Sequence, residues 1–243
     1  MTDWHKGIMA AFDTETTGAD PESARLVTAC ISHVDGSGLI PPESQTWLSD
    51  VDGEEIPAGA IAVHGITTEK ARAEGDPAKV VIADVAAAIL RDAHAGIPVV
   101  AFNAAYDLTV LDRETRRHNL DPFGAAFEAA RPVVIDPHVL DKLLDPYRKG
   151  SRTLTATCAH YRVRLDGAHD AASDAIAAAR VAYAIARDYP HIGAMSLGEL
   201  HSRQVKARAE QARSLEKHLR SKGTPEAVDG SWPLRPWTKE AAA

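Results

Sequence analysis

The chain has 243 residues, 45% of them hydrophobic and 25% charged, with a formal net charge of −7 at pH 7; this suits one medium-sized domain plus an appendage. The acidic balance, with a pI near 5.9, excludes a broad basic surface of the kind that coats duplexes, though not an acidic site acting on nucleic acid through bound metal. No apolar run is long enough to span a membrane, residues 1–7 lack the apolar core of a signal peptide, and Cys30 and Cys158 sit among apolar residues as reduced core cysteines do, so a cytoplasmic protein with no membrane partner is expected.

Residues 8–13 and 26–34 read as strands, and the Asp35-Gly36-Ser37-Gly38 turn leads into a third strand near 39–48, interrupted by Pro41 and Pro42. Residues 77–94 have helical spacing through Val80, Val81, Asp84, Val85, Ala88 and Ile89, with Asp76 as the expected cap before Pro77. A buried strand over 97–102 precedes a helix over 104–117. A short strand over 133–135 ends at Asp136-Pro137, where Asp136 reads as a turn or helix-start residue. Helices follow near 139–144, 154–161 and 171–186. Strands first, then strands alternating with helices, indicate an α/β fold with a mixed sheet. After Tyr189-Pro190 the composition changes. Residues 197–222 form a charged helix with a narrow apolar stripe of Val205, Ala209, Ala212, Leu215 and Leu219. The expected division is a domain over 1–190 and a C-terminal helix and tail over 191–243, packing on that domain or on a partner.

Three segments concentrate the chemistry. In Phe12-Asp13-Thr14-Glu15-Thr16-Thr17-Gly18, positions two apart share a strand face, so Asp13 and Glu15 project side by side. Two carboxylates so close repel unless a cation lies between them, and a hard divalent ion such as Mg2+ or Mn2+ suits oxygen ligands. Alone, the pair also fits a solvated acidic loop. In Asn103-Ala104-Ala105-Tyr106-Asp107-Leu108, Asp107 falls in the first turn of a helix, where the helix dipole favours a carboxylate; it could serve a metal or simply start the helix. In His169-Asp170-Ala171-Ala172-Ser173-Asp174, five residues turn through about 500° of helix. His169 can therefore act with Asp174 only from the preceding loop; otherwise His169 and Asp170 are helix-start residues with Asp170 as the cap.

The order and spacing of these segments, with His64-Gly65-Ile66-Thr67 between the first two, resemble the DEDDh (DnaQ-like) family of 3′–5′ exonucleases, which includes the proofreading subunit of bacterial DNA polymerase III and RNase T. The resemblance covers residues 8–188. It implies an RNase H-like fold, a five-stranded mixed sheet flanked by helices, here with a C-terminal helical extension. It implies metal ligation by Asp13, Glu15, Asp107 and Asp174, two Mg2+ for which Mn2+ substitutes, and His169 as general base. A tyrosine-based relative would carry tyrosine where this chain has Asp170. For the substrate, the resemblance implies that Thr14, Thr16, His64 and Ile66 meet the terminal nucleotide and that Asn103 supports the site. Phe102 either stacks on a base or belongs to the core.

The expected function is a metal-dependent exonuclease releasing nucleoside 5′-monophosphates from single-stranded or frayed DNA 3′ ends, alone or with a DNA polymerase or other replication or repair partner. The alternatives are RNase T-like trimming of RNA 3′ ends and a non-catalytic partner-binding subunit.

Overall fold

A computed structural model describes residues 3–167, 170–224 and 226–238. Five strands form one sheet: β1 (Ile8–Thr16), β2 (Leu26–Asp35), β3 (Glu43–Leu48), β4 (Val99–Val100) and β5 (Val134–Ile135). Their order is β3-β2-β1-β4-β5. The β1–β2–β3 pairs are antiparallel and the β1–β4–β5 pairs parallel, so the expected five-stranded mixed sheet is present and the fold is RNase H-like. The helices are α1 (Ala58–His64), α2 (Thr68–Glu74), α3 (Ala78–His94), α4 (Ala104–Arg117), α5 (Phe123–Ala129), α6 (Pro137–Leu144), α7 (Leu154–Tyr161), α8 (Ala171–Asp188), α9 (Pro190–Gly193) and α10 (Leu197–Ser221). None among the described residues is long and apolar enough to cross a membrane.

The alternation of β1 divides the core. Ala10 and Phe12 pack on one face with Val81, Ile82, Leu108 and Leu111 from α3 and α4. Met9 and Ala11 pack on the other with Ala175, Ala178 and Ala182. The alanine-rich face of α8 lets that helix approach the sheet closely. Both cysteines are free and buried, as expected.

Several elements differ from the sequence reading. β1 continues to Thr16, so Asp13 and Glu15 lie within the strand rather than at its end. β3 begins at Glu43, beyond the two prolines, because proline cannot donate to a ladder. The helix cap near Pro77 comes from Asp50, whose carboxylate accepts the Ala78 N–H at 2.9 Å, and not from Asp76. α1, α2, α5 and α9 were not anticipated; at seven residues or fewer they are too short to show periodicity.

The buried face of α10 is also shifted. It presents Leu200, Gln204, Ala207 and Ala212, while Val205 and Leu215 are exposed. The reason is the edge strand β5, whose outer main chain has no further strand to pair with. Gln204 Nε2 donates to the Val134 carbonyl at 3.0 Å, and its Oε1 accepts the Asp136 N–H at 2.7 Å. His201 Nδ1 accepts the Val134 N–H at 3.1 Å. Two polar side chains thus close a sheet edge that would otherwise remain open.

Gln204 is fully buried. Its replacement by leucine keeps the volume but strips partners from two main-chain groups, each costing about 1–3 kcal/mol when buried and unpaired. Gln204→Leu should lower the free energy of urea unfolding by about 2–4 kcal/mol, with the m-value unchanged.

Candidate metal centre and substrate groove

Asp13 and Glu15 leave the α8 side of β1, and Asp174 lies in the first turn of α8. One carboxylate oxygen from each lies within 4.8 Å of the other two. Next to them the sheet is irregular. Glu15 pairs with Thr28 but Thr16 with Leu26, a bulge that shifts the register at the end of β1.

Asp107, in the first turn of α4, stands just outside this trio. It is buried, and its Oδ1 accepts the Thr14 hydroxyl at 2.7 Å. β1 therefore presents Asp13 and Glu15 from one face and fixes Asp107 through Thr14 on the other. The next threonine follows suit: the hydroxyls of Thr16 and Tyr106 meet at the Gly18 carbonyl.

The charges respond to this crowding. Burial raises the Asp13 carboxyl well above the usual range, and Asp107, Asp174, Glu15 and Asp170 add to the shift. Glu15 is pushed up to about 7 by burial, then by Asp174 and Asp170. Asp107 is also pushed to about 7 by burial, against the opposing Thr14 hydroxyl. Such a cluster either holds protons or accepts a cation, and an all-oxygen donor set of this size fits a hard divalent ion. Asp170 has a different task. It caps α8, accepting the Ser173 N–H at 3.0 Å and the Ser173 hydroxyl at 2.8 Å. His169 lies outside the described residues.

Beside Glu15 runs a groove of about 380 Å³ that contains His64 and Ile66, two of the expected substrate residues. His64 Nδ1 accepts the Ile66 N–H at 3.1 Å. Burial lowers the His64 pKa, opposed by the Thr16 main chain, which favours a neutral ring. The same groove contains Thr28, Trp47 and Lys70, which sequence reasoning missed. Their only sequence signal was position: two are on the strands expected beside β1, and the third shortly follows the His64–Thr67 segment.

Asn103 adopts a left-handed conformation (φ 69°, ψ 46°) at the β4–α4 junction, which asparagine tolerates better than most residues. Its N–H and that of Ala104 both donate to Asp136, at 2.9 and 3.0 Å. Asp136 also caps α6 through the His138 N–H at 3.0 Å and takes the Trp232 indole N–H at 3.1 Å. It is a helix-start residue, as expected, and a tie between this junction and the C-terminal tail. Phe102 is half-buried, its ring 5.3 Å from that of His138.

The exonuclease family of the RNase T type matches residues 10–182. The carboxylate cluster on an RNase H-like sheet thus has a family to place it in: the chain belongs to the DnaQ-like exonucleases. No curated protein matches it. Among solved structures, the fold is similar to that of exonuclease I in a structure bearing on its processivity, with a TM-score of 0.64 and 21% identity over 77% of this chain and 42% of that one. It is likewise similar to E. coli exonuclease I in complex with a dT13 oligonucleotide, with a TM-score of 0.59 and 20% identity over 76% and 43%. The dA16 complex of the same enzyme gives 0.63 and 21% over 77% and 42%. The chain spans less than half the length of these structures.

Because Glu15 and Asp107 are held near 7 in the folded chain and carboxylates titrate near 4 when unfolded, their contribution to stability is present at low pH and lost as pH rises through about 7. The metal-free protein should therefore lose stability between about pH 4.5 and 7.5, and Glu15→Gln should flatten that profile in urea titrations. Saturating Mn2+ at pH 8, at a hundredfold excess over Kd, should add about 2.7 kcal/mol, roughly 5–10 °C in Tm. At pH 5.5 protons compete for the same oxygens, and the gain should shrink.

Proposed function

We propose that this chain is a DEDDh 3′–5′ exonuclease that hydrolyses phosphodiester bonds at DNA 3′ ends and releases nucleoside 5′-monophosphates. The observation that carries this reading is the convergence of Asp13, Glu15 and Asp174 within 4.8 Å, with Asp107 behind Asp13, in a member of the exonuclease family. Two Mg2+ ions, for which Mn2+ substitutes, would supply a polarised water and positive charge for the phosphate and the departing 3′ oxygen. In this reading Asp13 would contribute to both ions, Glu15 and Asp174 would hold the one on the water side, and Asp107 would help to hold the other. His169 would take the proton from the attacking water, a role for which an imidazole is suited near neutral pH.

The groove beside Glu15 would receive the terminal nucleotide. The main chain around Thr14 and Glu15 would meet the terminal 3′-hydroxyl and sugar, and His64 and Ile66 would pack near the terminal bases. Asn103 supports the site through its fixed main chain. The Phe102 ring, packed on His138, has its structural partner already. Residues 1–190 would form the catalytic domain, with 191–243 as an extension. DNA is preferred to RNA because the motifs look more like those of the polymerase III proofreading subunit. The exonuclease I structures with dT13 and dA16 favour a single-stranded end. A place in proofreading, replication or repair would follow from that activity.

Matched 5′-labelled DNA and RNA oligonucleotides, single- and double-stranded, incubated with Mg2+ or Mn2+, test the reading. A ladder shortening from the 3′ end, fastest on single-stranded DNA, is expected; intact substrate under every condition would overturn it. His169→Ala should reduce turnover by about 10²–10⁴-fold while Mn2+ binding by calorimetry is largely kept. Near-normal turnover would remove His169 from the mechanism.

A further inference from the structure

We infer that the groove between α6 and α10 is a phosphate-binding track for the part of a single-stranded substrate that lies beyond the reacting 3′ end; this rests on the nucleic-acid reading above. The groove measures about 600 Å³ and is lined by Lys142, Arg152, Arg208 and His218, with Glu210 as its one acidic lining residue. In a chain of net charge −7 this is a local reversal of sign.

The cations there are incompletely neutralised. Arg152 is paired with Asp141 at 2.5 Å. Arg208, however, donates to a neutral acceptor, the Asp229 carbonyl, at 2.8 Å. Among the described residues neither Arg208 nor Lys142 has a carboxylate partner within ion-pair distance. Lys142 is pushed below its ordinary pKa by burial and then by Arg208 and Arg152, with Asp136 and Asp141 opposing. Ser214 and Gln211 add neutral polar groups to the same wall.

The groove also starts in the right place. Lys142 follows His138 by one helical turn, about 6 Å along α6, so the two share a face. His138 packs on Phe102, the residue before Asn103 at the candidate site. A strand whose 3′ end lies at Asp13 and Glu15 could thus pass the Phe102–His138 pair and meet positive charge one turn further on. A row of cations that tracks a backbone without reading bases is the usual electrostatic basis of single-strand binding. It would let an acidic catalytic centre hold a polyanion.

Fluorescence anisotropy with 5′-labelled oligo-dT of three and twelve nucleotides, with Ca2+ replacing Mg2+, tests the track. The twelve-mer should bind wild type more tightly than the three-mer. In the double variant Lys142→Ala/Arg208→Ala, that length advantage should fall, and the slope of log K against log salt should shrink by roughly 1.4, about 0.7 per lost single-strand phosphate contact. Glu210→Lys, at an exposed position, should tighten twelve-mer binding and steepen the slope, a gain that misfolding cannot produce. An unchanged slope in both variants, or no length advantage in wild type, overturns the track. Displacement of the variant-sensitive signal by polyglutamate but not by unlabelled DNA would overturn it in favour of an acidic protein partner. Hydrolysis of the p-nitrophenyl ester of thymidine 5′-monophosphate separates the two readings. If it proceeds with Mg2+ while the binding slopes stay unchanged, the exonuclease reading stands and the track fails. If neither the ester nor any oligonucleotide is cleaved but the slopes shift as expected, the track stands without that reading.

Discussion

The constraint on which the structure turns is the mutual repulsion of carboxylates gathered around Asp13. Asp107, Asp174, Glu15 and Asp170 all raise its pKa beyond the effect of burial. Flexible segments would let these groups drift apart, so Asp13, Glu15, Asp107 and Asp174 are each mounted on a regular element. β1 carries two of them on one face at fixed strand spacing. α4 and α8 each bring one in a first helical turn, where the helix dipole offsets part of the cost of a negative charge. The two core layers hold those helices on opposite faces of β1. The hydrophobic packing thus supplies the stability that the acidic cluster subtracts in the absence of a cation, and the bulge after Glu15 shifts the register of the ladder beside the cluster.

Asp136 is the counter-example within the same fold. It too is fully buried, and burial raises its pKa. Its oxygens are nevertheless filled by N–H donors from Asn103, Ala104, His138 and Trp232. An acid so supplied with donors is a structural joint, whereas one surrounded by other acids either keeps a proton or favours a cation. The joint connects four parts: the β4–α4 junction, the start of α6, α10 through Gln204, and the tail through Trp232. The tail grips α4 again further along. The Arg235 N–H donates to the Thr109 hydroxyl at 3.0 Å, and Trp237 lies over Arg116 and Arg113 at 4.7 and 5.3 Å. The helix carrying Asp107 is therefore held at its start by Asp136, which Trp232 ties to the tail, and directly by the tail at Thr109, Arg113 and Arg116.

What could be read from the sequence was what local spacing encodes. The separation of Asp13 from Glu15, the placement of Asp107 near a helix start and the cap formed by Asp170 all follow from strand and helix periodicity. The mixed five-stranded sheet followed from element order and from the family resemblance. Contacts between distant segments were not legible. The Thr14–Asp107 bond spans 93 residues and the Trp232–Asp136 bond spans 96. Nothing adjacent to either residue announces its partner. The apolar stripe on α10 misled because it was sought among hydrophobic side chains, while the buried face is organised around Gln204, a polar residue whose partners are the main chain of an edge strand. The short helices escaped for a simpler reason: two turns or fewer show no period.

On the proposed reading, the C-terminal helix also answers an electrostatic difficulty that the acidic cluster creates. A cluster of acids attracts metal, but on its own it repels a nucleic acid, and metal ions neutralise only the charges they touch. Positive charge is needed nearby but not within the cluster, where it would compete with the metal for the same oxygens. α6 can separate the two functions. Its first residue follows Asp136, which anchors the site junction, and one turn after His138 it presents Lys142 to the groove shared with Arg208 on α10. Covering the β5 edge with α10 therefore does two things at once. It satisfies the open main chain of the sheet, and it places the Lys- and Arg-rich α10 opposite Lys142 of α6, at a distance from the acids set by a buried hydrogen-bonded joint rather than by flexible side chains.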